Sequence, residues 1–127
     1  MTAGTHAVWR LPHASQECEQ GPEAHLVDRT LTIRYDFENE AGNYEWASFR
    51  FEGVVAVTFV DAELSSPDQI AALDTVLEVE QSDWLEKAKD ARRFGKDQRY
   101  HYRIYFDDYG CYEVLSERFS PSTDDGS

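Results

Sequence analysis

At 127 residues, with 41% hydrophobic and 13% aromatic content, the chain can bury roughly two-thirds of the surface its unfolded form exposes, so folding requires neither a metal nor a disulfide. Its 25 acids against 12 bases give a net charge of -13, which repels nucleic acid and anionic membrane and steers a basic protein partner toward it. No window approaches the roughly 18 consecutive apolar residues of a membrane helix. Met1 to Pro12 also lacks the cationic start and apolar run of a secretory signal, so a cytoplasmic protein is expected.

Taken in chain order, Ala7 to Leu11 is a short apolar run that fits a first strand ended by Pro12. His13 to Glu23, rich in Gln, Glu, Gly and Pro, reads as a loop. Leu31, Ile33, Tyr35 and Phe37 alternate with Thr30, Thr32, Arg34 and Asp36, a strand signature with a period of two. Gly42 beside Asn43 suits a hairpin into a second strand, Tyr44 to Phe51. Its residues Ala47, Phe49 and Phe51 would face the core, leaving Tyr44, Trp46, Ser48 and Arg50 opposite. Val54 to Val60, apolar on both faces and rich in β-branched residues, predicts a strand in the middle of a sheet. Ser66-Pro67-Asp68-Gln69 carries a capping box with Pro at the first helical position, so a short helix should run from Pro67 to about Leu73. Thr75 to Glu80 fits another strand. Asp83 with Glu86 repeats the capping pattern, and Trp84, Ala88 and Ala91 at helical spacing predict a second helix from Asp83 to Phe94.

The strongest pattern is Arg99 to Phe119, two alternating runs folded back around Asp107-Asp108-Tyr109-Gly110. Tyr100, Tyr102, Ile104 and Phe106 share the side expected to face inward; His101, Arg103, Tyr105 and Asp107 share the side expected to face outward. Residues 121–127 are small, polar and acidic and read as a disordered tail. The expectation is therefore an α+β fold in a single domain over residues 1–120: a mainly antiparallel sheet of about six or seven strands with two helices packed on it.

No catalytic signature is present, and the two cysteines, Cys18 and Cys111, show neither CxxC spacing nor a His partner. His6, His13 and His25 lack the spacing of a zinc site, so no metal and no cofactor is expected. Asp107 and Asp108 suit turn chemistry better than a cation. His101, Arg103 and Glu113 meet across the last hairpin as a possible acid/base or ligand group, although a surface hydrogen-bonding role is the plainer reading. Lys87 to Arg103 holds seven bases and two acids; the plain reading is the solvated face of the second helix. Tyr44, Trp46, Tyr105, Tyr109 and Tyr112 are expected mainly to pack against the helices. Any left exposed beside acids would be aromatic anchors in a charged rim. The candidate binding residues are thus Glu38, Glu40, Glu45, Trp46, His101, Arg103, Asp107, Asp108, Tyr109 and Glu113.

FEGVVAVTF (Phe51 to Phe59), VEQSDWLEKA (Val79 to Ala88) and HYRIYFDDYGCYEVLSERF (His101 to Phe119) together resemble a family of small, uncharacterised bacterial proteins. The marks of that family are a Ser-x-Trp-Leu step and a His-Tyr, Phe-Asp, Gly-Cys-Tyr-Glu-Val ending, and the resemblance covers Leu31 to Phe119. It implies no catalytic residue. In size and charge the chain is also similar to the immunity proteins of bacterial toxin systems, which implies a protein-binding module that inhibits a basic toxin. The alternative is a small-ligand binding or enzymatic domain with a cleft near His101, Arg103 and Glu113.

Overall fold

In the computed structural model residues 4–91 and 98–121 are described, the side chains of 89–91 excepted, and these residues form nine strands in two antiparallel sheets with two short helices. The strands are β1 (Thr5–Arg10), β2 (Glu23–Val27), β3 (Thr30–Glu38), β4 (Tyr44–Glu52), β5 (Ala56–Asp61), β6 (Thr75–Val79), β7 (Tyr100–Phe106), β8 (Gly110–Ser116) and β9 (Arg118–Ser120). The helices are α1 (Pro67–Ile70) and α2 (Asp83–Ala91). Strand order is β1-β6-β7-β8-β5 in the larger sheet and β2-β3-β4-β9 in the smaller. The expected single sheet of six or seven strands is therefore corrected to two layers. Of the expected tail at 121–127, residues 122–127 lie outside the described residues, as does the end of the second helix at Phe94.

Alternation explains how the layers meet. Leu31, Ile33 and Tyr35 of β3 and Phe49 and Phe51 of β4 turn toward Val76, Tyr102, Ile104, Phe106 and Val114 of the larger sheet, forming one buried cluster. Aromatic rings fill it: Phe49 lies 5.6 Å from Trp9 and 5.9 Å from Phe119 between ring centres, and Phe51 lies 5.3 Å from Tyr102. Such offset and tilted pairs add to the area they bury. The chain itself stitches the sheets together, because after β8 the Glu117 amide donates to the Glu52 carbonyl at 2.9 Å and β9 then pairs with β4.

Three expectations about strands change. The β2 strand carries no assignment from the sequence beyond the end of the expected loop at Glu23, because its turn, Asp28-Arg29, lacks glycine. Both residues take left-handed backbone angles (φ 52 and 66), as a two-residue hairpin turn demands, and the Arg29 carbonyl is held by the Val54 amide at 2.8 Å. The apolar run Val54 to Val60 is not central. Val54 enters the core, but β5 starts at Ala56 and occupies the end of its sheet, paired only with β8 among the described residues. Its apolar character serves contact with the core on one side and leaves Phe59 48% exposed.

The third change concerns β7. Ile104 is fully buried, as its alternation requires, but His101 is only 6% exposed. The side carrying His101, Arg103 and Tyr105 is covered as well, since α1, α2 and the turn after α1 lie across it: Gln69 reaches Glu113, Ser82 reaches His101, and Ala72 packs with Tyr105 and Cys111. Alternation reports two faces, but it does not say whether the second meets water or another layer.

Candidate functional site

The first group of site residues lies under the helices. Register opposes Arg103 to Glu113 across β7 and β8, with His101 one step along the same face. His101 Nε2 stands 2.5 Å from Glu113 Oε1, and His101 Nδ1 stands 2.7 Å from Ser82 Oγ. With its ring proton on Nε2, the imidazole donates to the carboxylate and accepts from the serine hydroxyl. Ser82 Oγ also accepts the Leu85 amide at 3.0 Å, so Ser82, not Asp83, caps α2. On the other side, the Gln69 side chain divides its two ends. Oε1 accepts the Ser66 amide and completes the capping box of α1, while Nε2 donates to Glu113 Oε2 at 2.6 Å. Arg103 Nε forms an ion pair with Glu113 Oε1 at 3.1 Å, without the alignment of a hydrogen bond.

Glu113 is thus the hub of a nearly closed polar cluster that pins both helices to the sheet. Burial alone would raise its carboxyl, but hydrogen bonds from His101 and Gln69 and the Arg103 charge outweigh burial and hold it below the usual carboxylate range. Trp84 covers His101 edge-on with 5.2 Å between ring centres. The neighbouring Cys111 thiol is pushed up to about 12, chiefly by burial and then by the Glu113 charge, so it is unreactive at neutral pH. Gln69, Ser82 and Trp84 were not among the sequence candidates. The only signal for Gln69 was its capping box, which gave it a helical task and not its second contact.

The second group lies at one end of the molecule. Asp36, 2% exposed, accepts the backbone amides of Glu19, Gln20 and Gly21 at 3.0 to 3.2 Å. Burial opposes the charge on Asp36, but these amides outweigh it and lower its pKa. The loop they hold touches both hairpin tips. Toward β3 and β4, Glu19 lies beside Tyr44, whose hydroxyl is raised by burial and then by the charges of Glu19 and Glu38. Toward β7 and β8, Gly21 takes φ +86 and lies so close to the Tyr109 ring that a Cβ there would come within 2.3 Å of it. Ser15, in the same loop, accepts the Asp107 amide at 2.8 Å and donates its hydroxyl to Asp74. Asp107 is raised by burial and then by the charges of Asp108 and Asp74.

The structure therefore brings Glu38, Glu45 and Trp46 to the same end as Asp107, Asp108 and Tyr109, with Glu40 in the β3–β4 turn. Glu45 accepts from Asn39 Nδ2 at 2.5 Å, which braces that turn. Tyr44 is 48% and Trp46 37% exposed on the outer side of the smaller sheet, and Arg34 stacks on the Trp46 ring at 4.1 Å. Neither packs against a helix as expected. Of the five aromatics considered together, Tyr105 meets the turn after α1, while Tyr109 and Tyr112 pack against the core cluster. Glu19 joins this end without having been a candidate. Of the basic stretch, Lys87 is exposed, Arg99 is buried with Glu117 at 3.6 Å, and Arg103 belongs to the Glu113 cluster. Lys89, Arg92, Arg93 and Lys96 lie outside the described side chains.

Among the described residues, no helix is long and apolar enough to cross a membrane. No family model, no curated protein and no solved structure matches the chain.

Proposed function

We propose that this chain is a protein-binding module whose acidic end receives a basic protein, in the manner of an immunity-type inhibitor. One observation carries the reading: the loop held by Asp36 touches both acidic hairpin tips, with Glu19 and Glu38 beside the half-exposed Tyr44. An aromatic anchor with like charges around it suits a partner with a basic cleft, because the charges speed encounter while the ring supplies desolvated contact. Kinship with small bacterial proteins of the Ser-x-Trp-Leu type belongs to the same proposal.

The test is capture on the immobilised chain at low and high salt, followed by binding measurements on the captured protein. A basic partner is expected, with affinity falling steeply as salt rises. Reversing charge with Glu38→Lys and Asp108→Lys together should weaken binding about tenfold or more, mainly by slowing association, with the melting temperature unchanged. A neutral or acidic partner, or indifference to both charge reversals, would refute the proposal.

A second reading, a small-ligand or enzymatic site at His101, Arg103 and Glu113, is supported by the continuous Ser82, His101 and Glu113 hydrogen-bond line. It requires that a metabolite raise the melting temperature of the wild type but not of Glu113→Gln.

A further inference from the structure

The four sheet edges are not equally protected. A free edge strand offers unpaired amides and carbonyls to any other strand, and proteins blunt such edges with charge, proline, bulges or brevity. The β1 edge has a register shift between Ala7 and Trp9 and carries His6 and Arg10. In β2, Glu23 and His25 point to the outer side beside Arg34, and β9 has three residues led by Arg118. In contrast, β5 runs in unbroken register against β8 for six residues. Its first five, Ala56-Val57-Thr58-Phe59-Val60, contain no charge, no proline and no glycine. Among the described residues no strand pairs with its other side, and Thr58 and Phe59 are exposed.

We propose that β5 pairs antiparallel with β5 of a second copy, joining two five-stranded sheets into one of ten strands. The backbone decides which groups are available. The Ala62 amide donates to the Tyr109 carbonyl in the β5–β8 register, and hydrogen-bonded pairs alternate along an antiparallel ladder. Thr58 and Val60 therefore bond inward to β8, while Val57 and Phe59 offer their amides and carbonyls outward.

A two-fold axis normal to the sheet keeps each face continuous across the junction, and centring it on Thr58 sets Thr58 opposite its own copy. Val57 then meets Phe59 of the second copy through both outward pairs, and Ala56 meets Val60. Threonine pairs and aromatic with β-branched pairs are the favourable cross-strand combinations. Self-complementarity selects this occupant, because the same five uncharged residues, Ala56 to Val60, supply both sides of the ladder. They hold no acid to attract the basic partner proposed above, and in this register the two Asp61 residues, one at the end of each strand, stand about six residues apart along the ladder. At ~3.4 Å per residue that is about 20 Å, beyond the ~10 Å Debye length at 0.1 M salt. The inference is independent of the acidic end.

Sedimentation equilibrium across a dilution series should give a mass rising to twice that of the chain. Thr58→Lys places two like charges at the axis on an exposed position and should hold the mass at one chain, with a melting temperature equal to that of the wild type at dilutions where the wild type is monomeric. In a Cys18→Ser background, Thr58→Cys should form a disulfide-linked dimer on mild oxidation, and Asp61→Cys should not. A wild type that stays monomeric at every concentration, a Thr58→Lys dimer, or cross-linking through Asp61→Cys in place of Thr58→Cys would each overturn the proposal.

Discussion

Replacing Asp36 with alanine tests the link between the core and the acidic end. The carboxylate serves three backbone amides, and a hydrogen bond to a charged acceptor contributes roughly 1.5–3 kcal/mol. Glu19 and Gln20 are exposed, so their amides can turn to water once the carboxylate is gone. Gly21 is buried against Tyr109 and loses its partner outright. The expected loss is about 3 kcal/mol, most of it from Gly21 and the ordering of the loop. At roughly 3–5 °C per kcal/mol for a domain of this size, the melting temperature by circular dichroism should fall by about 10 °C.

The sign of the pH effect follows from the lowered pKa of Asp36. The stability it confers is present above the carboxyl pKa of the unfolded chain and is lost as pH falls through the lower folded value. The gap between wild type and Asp36→Ala should therefore narrow in acid. A drop of less than ~2 °C at neutral pH, or a gap of constant size from neutral to strongly acidic solution, would refute the account of this loop.

Two further substitutions probe the two sides of β7. Ile104→Asp places a carboxylate where the native side chain has no exposure and should cost about 4 kcal/mol or more; an unchanged urea midpoint would show that the inner side is misassigned. Glu113→Gln leaves Arg103 without its counter-charge and replaces the carboxylate that accepts from His101, and should cost about 3 kcal/mol. Because Glu113 is held low, its contribution vanishes as pH falls through its folded value, so variant and wild type should converge in acid when urea unfolding is followed at several pH values.

Local signals were legible wherever they depended on neighbours in the chain. The capping box at Ser66 and Gln69, the β3–β4 hairpin and the β7–β8 hairpin all form where the residue pattern places them. The cap of α2 falls on Ser82, one residue earlier than the Asp83 pattern suggests, because Ser82 Oγ reaches the Leu85 amide. The β2 hairpin was hidden because its left-handed turn is built from Asp28 and Arg29, without the glycine that marks a two-residue hairpin turn; a contact with Val54, distant in sequence, holds it.

The candidate site was readable as a set of residues but not as an arrangement. Glu38, Glu40 and Glu45 could be placed on one tip and Asp107 and Asp108 on another, since each tip is local. Their gathering at one end rests on Asp36 binding a loop fifteen or more positions away. Likewise, the pairing of Arg103 with Glu113 follows from hairpin register, whereas burial of His101 requires Ser82 and Gln69 to arrive from other elements.

Periodicity along β3, β4, β7 and β8 settles which side chains share a face, because pleating alternates them whatever surrounds the strand. What covers each face is a property of the assembled layers. Polarity at His101, Arg103 and Glu113 resembles a wetted surface until two partners, Ser82 and Gln69, satisfy it, and apolarity at Val57 and Phe59 resembles a sheet interior although the strand closes an edge. Those outcomes depend on which distant segments pack there, and only the folded chain decides that.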